Sequence, residues 1–256
     1  MMRWLPENVS TYGGQIDYLF YLIYYITAAA FIVVTALMVI FLFVYRRREN
    51  RRAIYTHGNS GLELLWTIIP AVVFIGLGFA SKATWENIKL NVPETDVEIR
   101  VTGKQFNWEV LYPGPDKQFE TEDDYQVDND IHVPVGTPVR VFLTSKDVIH
   151  SLFMPNLRFK QDTLPGRQIE AWFQGDKAGT YEIPCAELCG FGHSGMKGTL
   201  YVDTPEDYAA WYNSRWPETS SPEDGTVSQK EISAVSATAT LAHNDPLIAN
   251  PAITTN

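Results

Sequence analysis

The 256 residues carry 30 acidic and 20 basic side chains, for a net charge of −10. A chain this acidic lacks the clustered Lys and Arg that phosphate backbones require, which argues against nucleic acid and for a basic protein partner reached by long-range steering. Its hydrophobic content of 45% is unevenly spread, with much of it in the first 81 residues, so the remainder must fold on a modest, strand-like pattern.

Residues 1–17 form a short polar lead with Pro6, Gly13 and Gly14. From Tyr18 to Tyr45 no residue is charged over 28 positions, enough to cross a bilayer core of about 30 Å with some tilt. A secretory signal would have an apolar region roughly half as long, with positive charge before it and a small-residue cleavage pattern after it. Five arginines follow within Arg46–Arg52, the composition of a cytoplasmic anchor under the positive-inside rule. A second uncharged run, Leu64 to Ser81, spans roughly 27 Å at the helical rise and holds Pro70, which predicts a kink. Residues 1–90 therefore read as a lead and a transmembrane hairpin, with helices at about 18–45 and 62–88. Both the N-terminus and everything after Lys82 are placed on the non-cytoplasmic side.

From Val97 the pattern changes to short alternating segments, 97–102, 131–135, 139–144, 168–173, 179–183 and 198–202. Period-two alternation of β-branched and aromatic residues, cut by Gly, Pro and Asp turns, predicts an all-β sandwich or barrel. Residues 205–216 read as a closing helix, with Glu206 and Asp207 near its start and Tyr208 and Trp211 able to pack inward. The Ser-, Thr- and Ala-rich tail, 217–256, has the composition of a disordered segment and is expected to lie along a partner subunit.

Both cysteines fall inside 184–196, where Cys185, Cys189, His193 and Met196 are spaced Cys-x3-Cys-x3-His-x2-Met. Two thiolates, an imidazole and a thioether form a soft donor set of the kind copper prefers, and His150 supplies a second imidazole. His150, Cys189, His193 and Met196 alone would suffice for a mononuclear blue-copper site. With Cys185 added, two sulfurs on one loop can bridge two coppers, each also taking one imidazole. Met196 and a backbone carbonyl between the cysteines, that of Glu187, would be the weak outer ligands. A tetrahedral zinc on Cys185, Cys189, His193 and His150, or a Cys185–Cys189 disulfide, remains compatible with the spacing. The first leaves Met196 idle, and the second leaves the His and Met unexplained. His57, His132 and His243 have no ligand company and read as structural.

Taken together, Asp147-Val148-Ile149-His150-Ser151, Pro165-Gly166-Arg167 and the run from Cys185 to Met196 resemble subunit II of haem–copper cytochrome c oxidases, over roughly residues 15–215. The resemblance implies a cupredoxin-like Greek-key β-sandwich or barrel at 95–204, carrying a mixed-valence pair of copper ions, copper A. By the same resemblance the pair would take electrons from cytochrome c and pass them to haem in subunit I, where oxygen would be reduced to water and protons translocated. It implies His150, Cys185, Glu187 (through its main-chain oxygen), Cys189, His193 and Met196 as copper ligands. The side chain of Glu187 would help bind Mg2+ shared with subunit I, and Glu63 would stand at the cytoplasmic mouth of a proton channel. Asp162 and Arg167 would hold the loop beside subunit I and the haem propionates. The implied setting is the bacterial inner membrane with the copper domain on the periplasmic side; the mitochondrial inner membrane is the alternative.

One stretch departs from the family. Where it often shows Gly-His-Gln-Trp-Tyr-Trp, this chain has Gly103-Lys104-Gln105-Phe106-Asn107-Trp108. The residue at which electrons arrive from cytochrome c becomes Phe106, aromatic but without the indole N–H, while Trp108 reads as a core residue. No Cys-x-x-Cys-His haem-attachment signal is present. Two other readings of the site are a copper A subunit of a nitric or nitrous oxide reductase, and a membrane-anchored copper carrier or sensor.

Overall fold

With nothing to interrupt it, the first uncharged run forms one long helix, α1 (Gly13–Val44), and the second forms α2 (Ser60–Trp85), which continues through Pro70 and ends in a π turn at Glu86–Leu90. Described here by a computed structural model are residues 5–52, 55, 57–95 and 97–217; the polar tail from 218 and His243 lie outside the described residues. Both helices are long and apolar enough to cross a membrane, and their apolar side chains stay exposed along their length, as lipid-facing helices require. α1 begins five residues before the uncharged run because Asp17, the charge that bounds the run, is neutralised on the helix. Its carboxylate accepts from the Arg158 guanidinium at 2.6 and 3.1 Å. At the other end of α1 the arginine run supplies a cap: Arg51 Nη1 donates to the Val44 carbonyl at 2.9 Å. α2 is started by Asn59, whose Oδ1 accepts from the N–H groups of Gly61 and Leu62 at 3.0 and 3.1 Å.

The lead that reads as polar is docked on the later domain. Val9 and Tyr12 are buried, Val9 N–H donates to the Asn156 carbonyl, and the Val9 carbonyl accepts from Asp176 N–H. Tyr12 stands edge-on to Trp172 at 5.1 Å, and Trp172 Nε1 donates to the Ile88 carbonyl at 2.8 Å. These contacts bring the start of α1 and the end of α2 to the same side of the hairpin.

The β domain has ten strands: β1 (Val97–Lys104), β2 (Asn107–Tyr112), β3 (Tyr125–Asp128), β4 (Asp130–Pro134), β5 (Val139–Ser145), β6 (His150–Met154), β7 (Phe159–Thr163), β8 (Ile169–Phe173), β9 (Gly179–Pro184) and β10 (Lys197–Asp203). One sheet has the order β3-β2-β1-β5-β8, with β1 and β5 parallel. The second is β4-β10-β9, with β4 and β10 parallel, and β6 and β7 form an antiparallel pair. Strict alternation along β5 sends Val139, Val141 and Leu143 inward against Ile99, Val101, Val110 and Phe173, all fully buried. This two-sheet, cupredoxin-like core carries the ends of β6, β9 and β10 to one place.

α3 (Pro205–Arg215) is opened by Thr204, whose Oγ1 accepts from Asp207 N–H at 3.2 Å. Tyr208 and Trp211, the residues able to pack inward, are half-buried on a helix that is otherwise mostly exposed.

Candidate metal centre

The sequence between β9 and β10 is a loop whose base is pinched shut: Cys185 N–H donates to the Met196 carbonyl at 3.0 Å. Cys185 thus sits at the end of one strand and Met196 at the start of the next. Cys189 and His193 lie in the turn between them. The fifth side chain, His150, opens β6 and is brought over by a bridge between Leu152 and Cys185 and by Ala186 N–H donating to the Ser151 carbonyl.

Donor atoms then fall into two facing halves. Cys185 Sγ lies 4.0 Å from His150 Nδ1 and 3.3 Å from the Glu187 carbonyl oxygen. Cys189 Sγ lies 3.6 Å from His193 Nδ1 and 3.8 Å from Met196 Sδ. The two sulfurs stand 3.9 Å apart as free thiols, nearly twice the length of a disulfide bond. Burial pushes the Cys189 thiol up to about 11, and the neighbouring Cys185 adds to the rise. A bound cation would favour its thiolate. Sulfur, imidazole and thioether are a soft set that fits copper, and the thioether's place inside the cluster is what a zinc tetrahedron would leave unused.

A second layer aims the first. His150 is fully buried, and its Nε2 meets Asp147 Oδ1 at 2.8 Å, which leaves Nδ1 free to face the sulfurs. Burial alone would raise the Asp147 carboxyl. Hydrogen bonds from His150 and from the N–H groups of Gln105 and Val148 outweigh it and hold the carboxyl below its ordinary value. Gly103 makes room for the imidazole, since a Cβ there would come 2.8 Å from His150 Cδ2. Gln105 Nε2 donates to the Cys189 carbonyl at 2.6 Å, tying β1's end to the loop. Asp147 is visible in the sequence three positions before His150. Its role as the partner of Nε2, and that of Gln105, become apparent only when the strands are assembled.

The remaining sequence-predicted residues are placed as follows. Phe106, part-exposed, lies over the metal loop, where a Cβ on Gly192 would come 2.5 Å from its ring. Trp108 is buried in the core, edge-on to His150 at 5.9 Å. The Glu187 carboxylate is part-exposed and pairs with Lys160 at 3.2 Å. Lys160 also meets Asp162 at 2.8 Å, and Asp162 accepts from Ser151 Oγ at 2.7 Å. Arg167 is exposed. Glu63 lies in the first turn of α2, at the end of the hairpin away from the cluster, where a carboxylate also favours the helix dipole. His132 stacks on Tyr201 and meets Asp203 at 2.8 Å, apart from the cluster.

The family models described as "Cytochrome C oxidase subunit II, periplasmic domain" and "Cytochrome C oxidase subunit II, transmembrane domain" match residues 115–201 and 3–83. The alternative cytochrome c oxidase subunit 2 of Bradyrhizobium diazoefficiens is 30% identical over 230 residues, covering 81% of this chain and 82% of that relative. The cytochrome c oxidase subunit 2 of Cereibacter sphaeroides is 34% identical over 201 residues, 66% of either chain. Among solved structures, the periplasmic domain of subunit II of cytochrome oxidase from Bradyrhizobium japonicum is 31% identical. The match covers 49% of this chain and 96% of that one, with a TM-score of 0.43.

Proposed function

The chain belongs to the cytochrome c oxidase subunit II family, and from that premise we propose how its residues carry electrons into a respiratory terminal oxidase. It is a membrane-anchored member of an oxidoreductase complex whose β domain has a copper centre. The finer reading is a dinuclear centre held by His150, Cys185, the Glu187 carbonyl, Cys189, His193 and Met196. The observation that carries it is the two-sided arrangement, in which each sulfur faces one imidazole Nδ1 and one weak donor. When bound there, a copper pair would supply a one-electron couple.

The protein's part is to hold that donor set still. Asp147 keeps the proton of His150 on Nε2, and the closed base of the loop fixes Cys185 against Met196. Burial of both sulfurs excludes water from them. We read Phe106 as the point where electrons arrive from a cytochrome c, because its part-exposed ring packs directly on the loop over Gly190 and Gly192. Between residues 91 and 215 there are 20 acidic against 11 basic side chains, densest at Glu120, Glu122, Asp123, Asp124, Asp128 and Asp130, which suits a basic donor. The Glu187 carboxylate, a hard oxygen donor on the rim, is the proposed Mg2+ ligand shared with subunit I. Glu63 is the proposed proton-channel residue on the cytoplasmic side. The arginine run supports that orientation, with the copper domain on the periplasmic face of a bacterial inner membrane.

Copper per chain and electron spin resonance on the intact complex test the reading. Two tightly held coppers with a delocalised mixed-valence signal are expected. Cys185→Ser should leave assembly intact while abolishing that signal and most turnover with cytochrome c. One exchangeable Cu(I) would overturn the dinuclear centre, and full turnover in the variant would overturn the electron route.

A further inference from the structure

A cavity of about 490 Å³ opens where the domain-side ends of α1 and α2 meet β7 and β8. One wall is apolar, from Ile16 and Leu19 on α1 and Trp85 and Ile88 at the end of α2. Facing it are four cations, Lys82, Lys89, Arg158 and Lys160. Three of them are neutralised within the chain: Lys82 by Glu86 at 3.5 Å, Arg158 by Asp17 at 2.6 Å, and Lys160 by Asp162 and Glu187. The cavity's carboxylate, Glu170, is taken by Arg140 at 3.2 Å. Lys89 differs. It is half-buried, and its Nζ donates at 2.8 Å to Gln161 Oε1, a neutral amide that leaves the charge uncompensated.

The height of the cavity says what anion is at hand. The uncharged runs begin just after Asp17 and end at Ser81. Aromatic residues gather at that level, Tyr18 and Tyr21 on α1 and Trp85 on α2, as they do where a membrane meets water. We propose that this chain binds the phosphate of an anionic glycerophospholipid in this cavity, with the Lys89 ammonium as the anchoring cation and the Ile16, Leu19, Trp85 and Ile88 wall against the first acyl methylenes. A free phosphate could meet the cation but would leave the apolar wall wet. The lipid satisfies both walls, and the volume falls within the usual range for a small-ligand site.

The test uses the whole oxidase complex with the parent chain, Lys89→Gln or Lys89→Arg. Each is stripped in detergent, then offered phosphatidylglycerol, phosphatidylcholine or inorganic phosphate, and retained lipid is counted by mass spectrometry. The parent and Lys89→Arg should keep about one phosphatidylglycerol more than Lys89→Gln, whose retention should be about fivefold weaker, the worth of one lysine at an anionic surface. Phosphatidylcholine and millimolar phosphate should fail to displace it. Equal retention in all three would overturn the proposal, as would displacement by inorganic phosphate. Loss of subunit I from Lys89→Gln at unchanged lipid content would overturn it in favour of a protein contact.

Discussion

The two histidines of the proposed copper site are held in opposite ways. His150 opens a strand, is fully buried, has Trp108 edge-on to it and Gly103 beneath it, and its far nitrogen is fixed by Asp147. His193 sits in a 3-10 turn, half-buried, and no hydrogen-bond partner for its Nε2 is found among the described residues. One half of the candidate site is built by the packing of the fold; the other half is ordered by its own turn and the pinched loop base. The loop half also carries Leu188 and Phe191, both strongly exposed, so what it lacks in packing it offers as surface. A rigid half sets ligand geometry, and a loop half can meet partners without disturbing it.

The largest expected effect strikes the rigid half. A Cβ at Gly103 would press on His150 Cδ2 and, at 3.1 Å, on Thr163 Oγ1, and both residues are fully buried with nowhere to move. Gly103→Ala should cost about 1–3 kcal/mol by thermal denaturation and sharply reduce copper content. On the loop half, Gly195→Ala has open space around it and should change neither. Similar losses from both would erase the distinction. Next in size is Asp147→Asn, which keeps the shape while weakening the carboxylate's hold on His150 Nε2. Copper affinity, read by competition with a chelator, should fall about 10- to 100-fold.

The loop half was the legible one. Four soft donors lie within twelve positions, so a candidate ligand set is visible without knowing the fold, and only His150 has to be brought from elsewhere. Alternation exposes strands with one face in the core, such as β1 and β5. It hides β6, buried on both faces over His150-Ser151-Leu152, and the short edge strand β3, which has no buried residue. Contacts that position the hairpin are illegible for another reason. Asp17 and Arg158 are 141 residues apart, and Gln105 and the Cys189 carbonyl 84, and each is an ordinary polar residue in its local sequence.

A third effect, on stability and not on copper, comes from beneath the rigid half, where Glu109, nearly buried, is clamped by Lys104 at 2.5 Å and by Lys146. Burial would raise its carboxyl, but the two lysine hydrogen bonds outweigh that and hold it below the ordinary value. A depressed folded value means the stabilisation is present above the unfolded value of about 4.3 and is lost as pH falls through the folded one. Glu109→Gln should therefore cost about 1–3 kcal/mol at pH 7 and progressively less below about pH 4, as thermal denaturation across that range would show. A difference that persisted at low pH would place the effect in packing instead of charge.

The smallest effect on the centre, and the most informative about the loop half, belongs to Phe106→Ala. The ring is part-exposed and touches the loop from outside, over Gly190 and Gly192. Removing it should leave copper content unchanged and stability within about 0.5 kcal/mol, as for other surface changes. If the donor docks on this ring, kcat/KM with cytochrome c should drop about five- to thirtyfold, the worth of a 1–2 kcal/mol aromatic anchor. The acidic residues at Glu120–Asp124 make a contrasting claim, that steering dominates, although Glu120 is already paired with Arg100 at 2.8 Å. The two contributions separate on a salt titration. Steering makes the parent's association rate fall steeply with ionic strength, whereas the Phe106→Ala deficit should keep the same ratio at every salt concentration. A deficit that vanished at high salt would move the docking site off the ring and onto the charges.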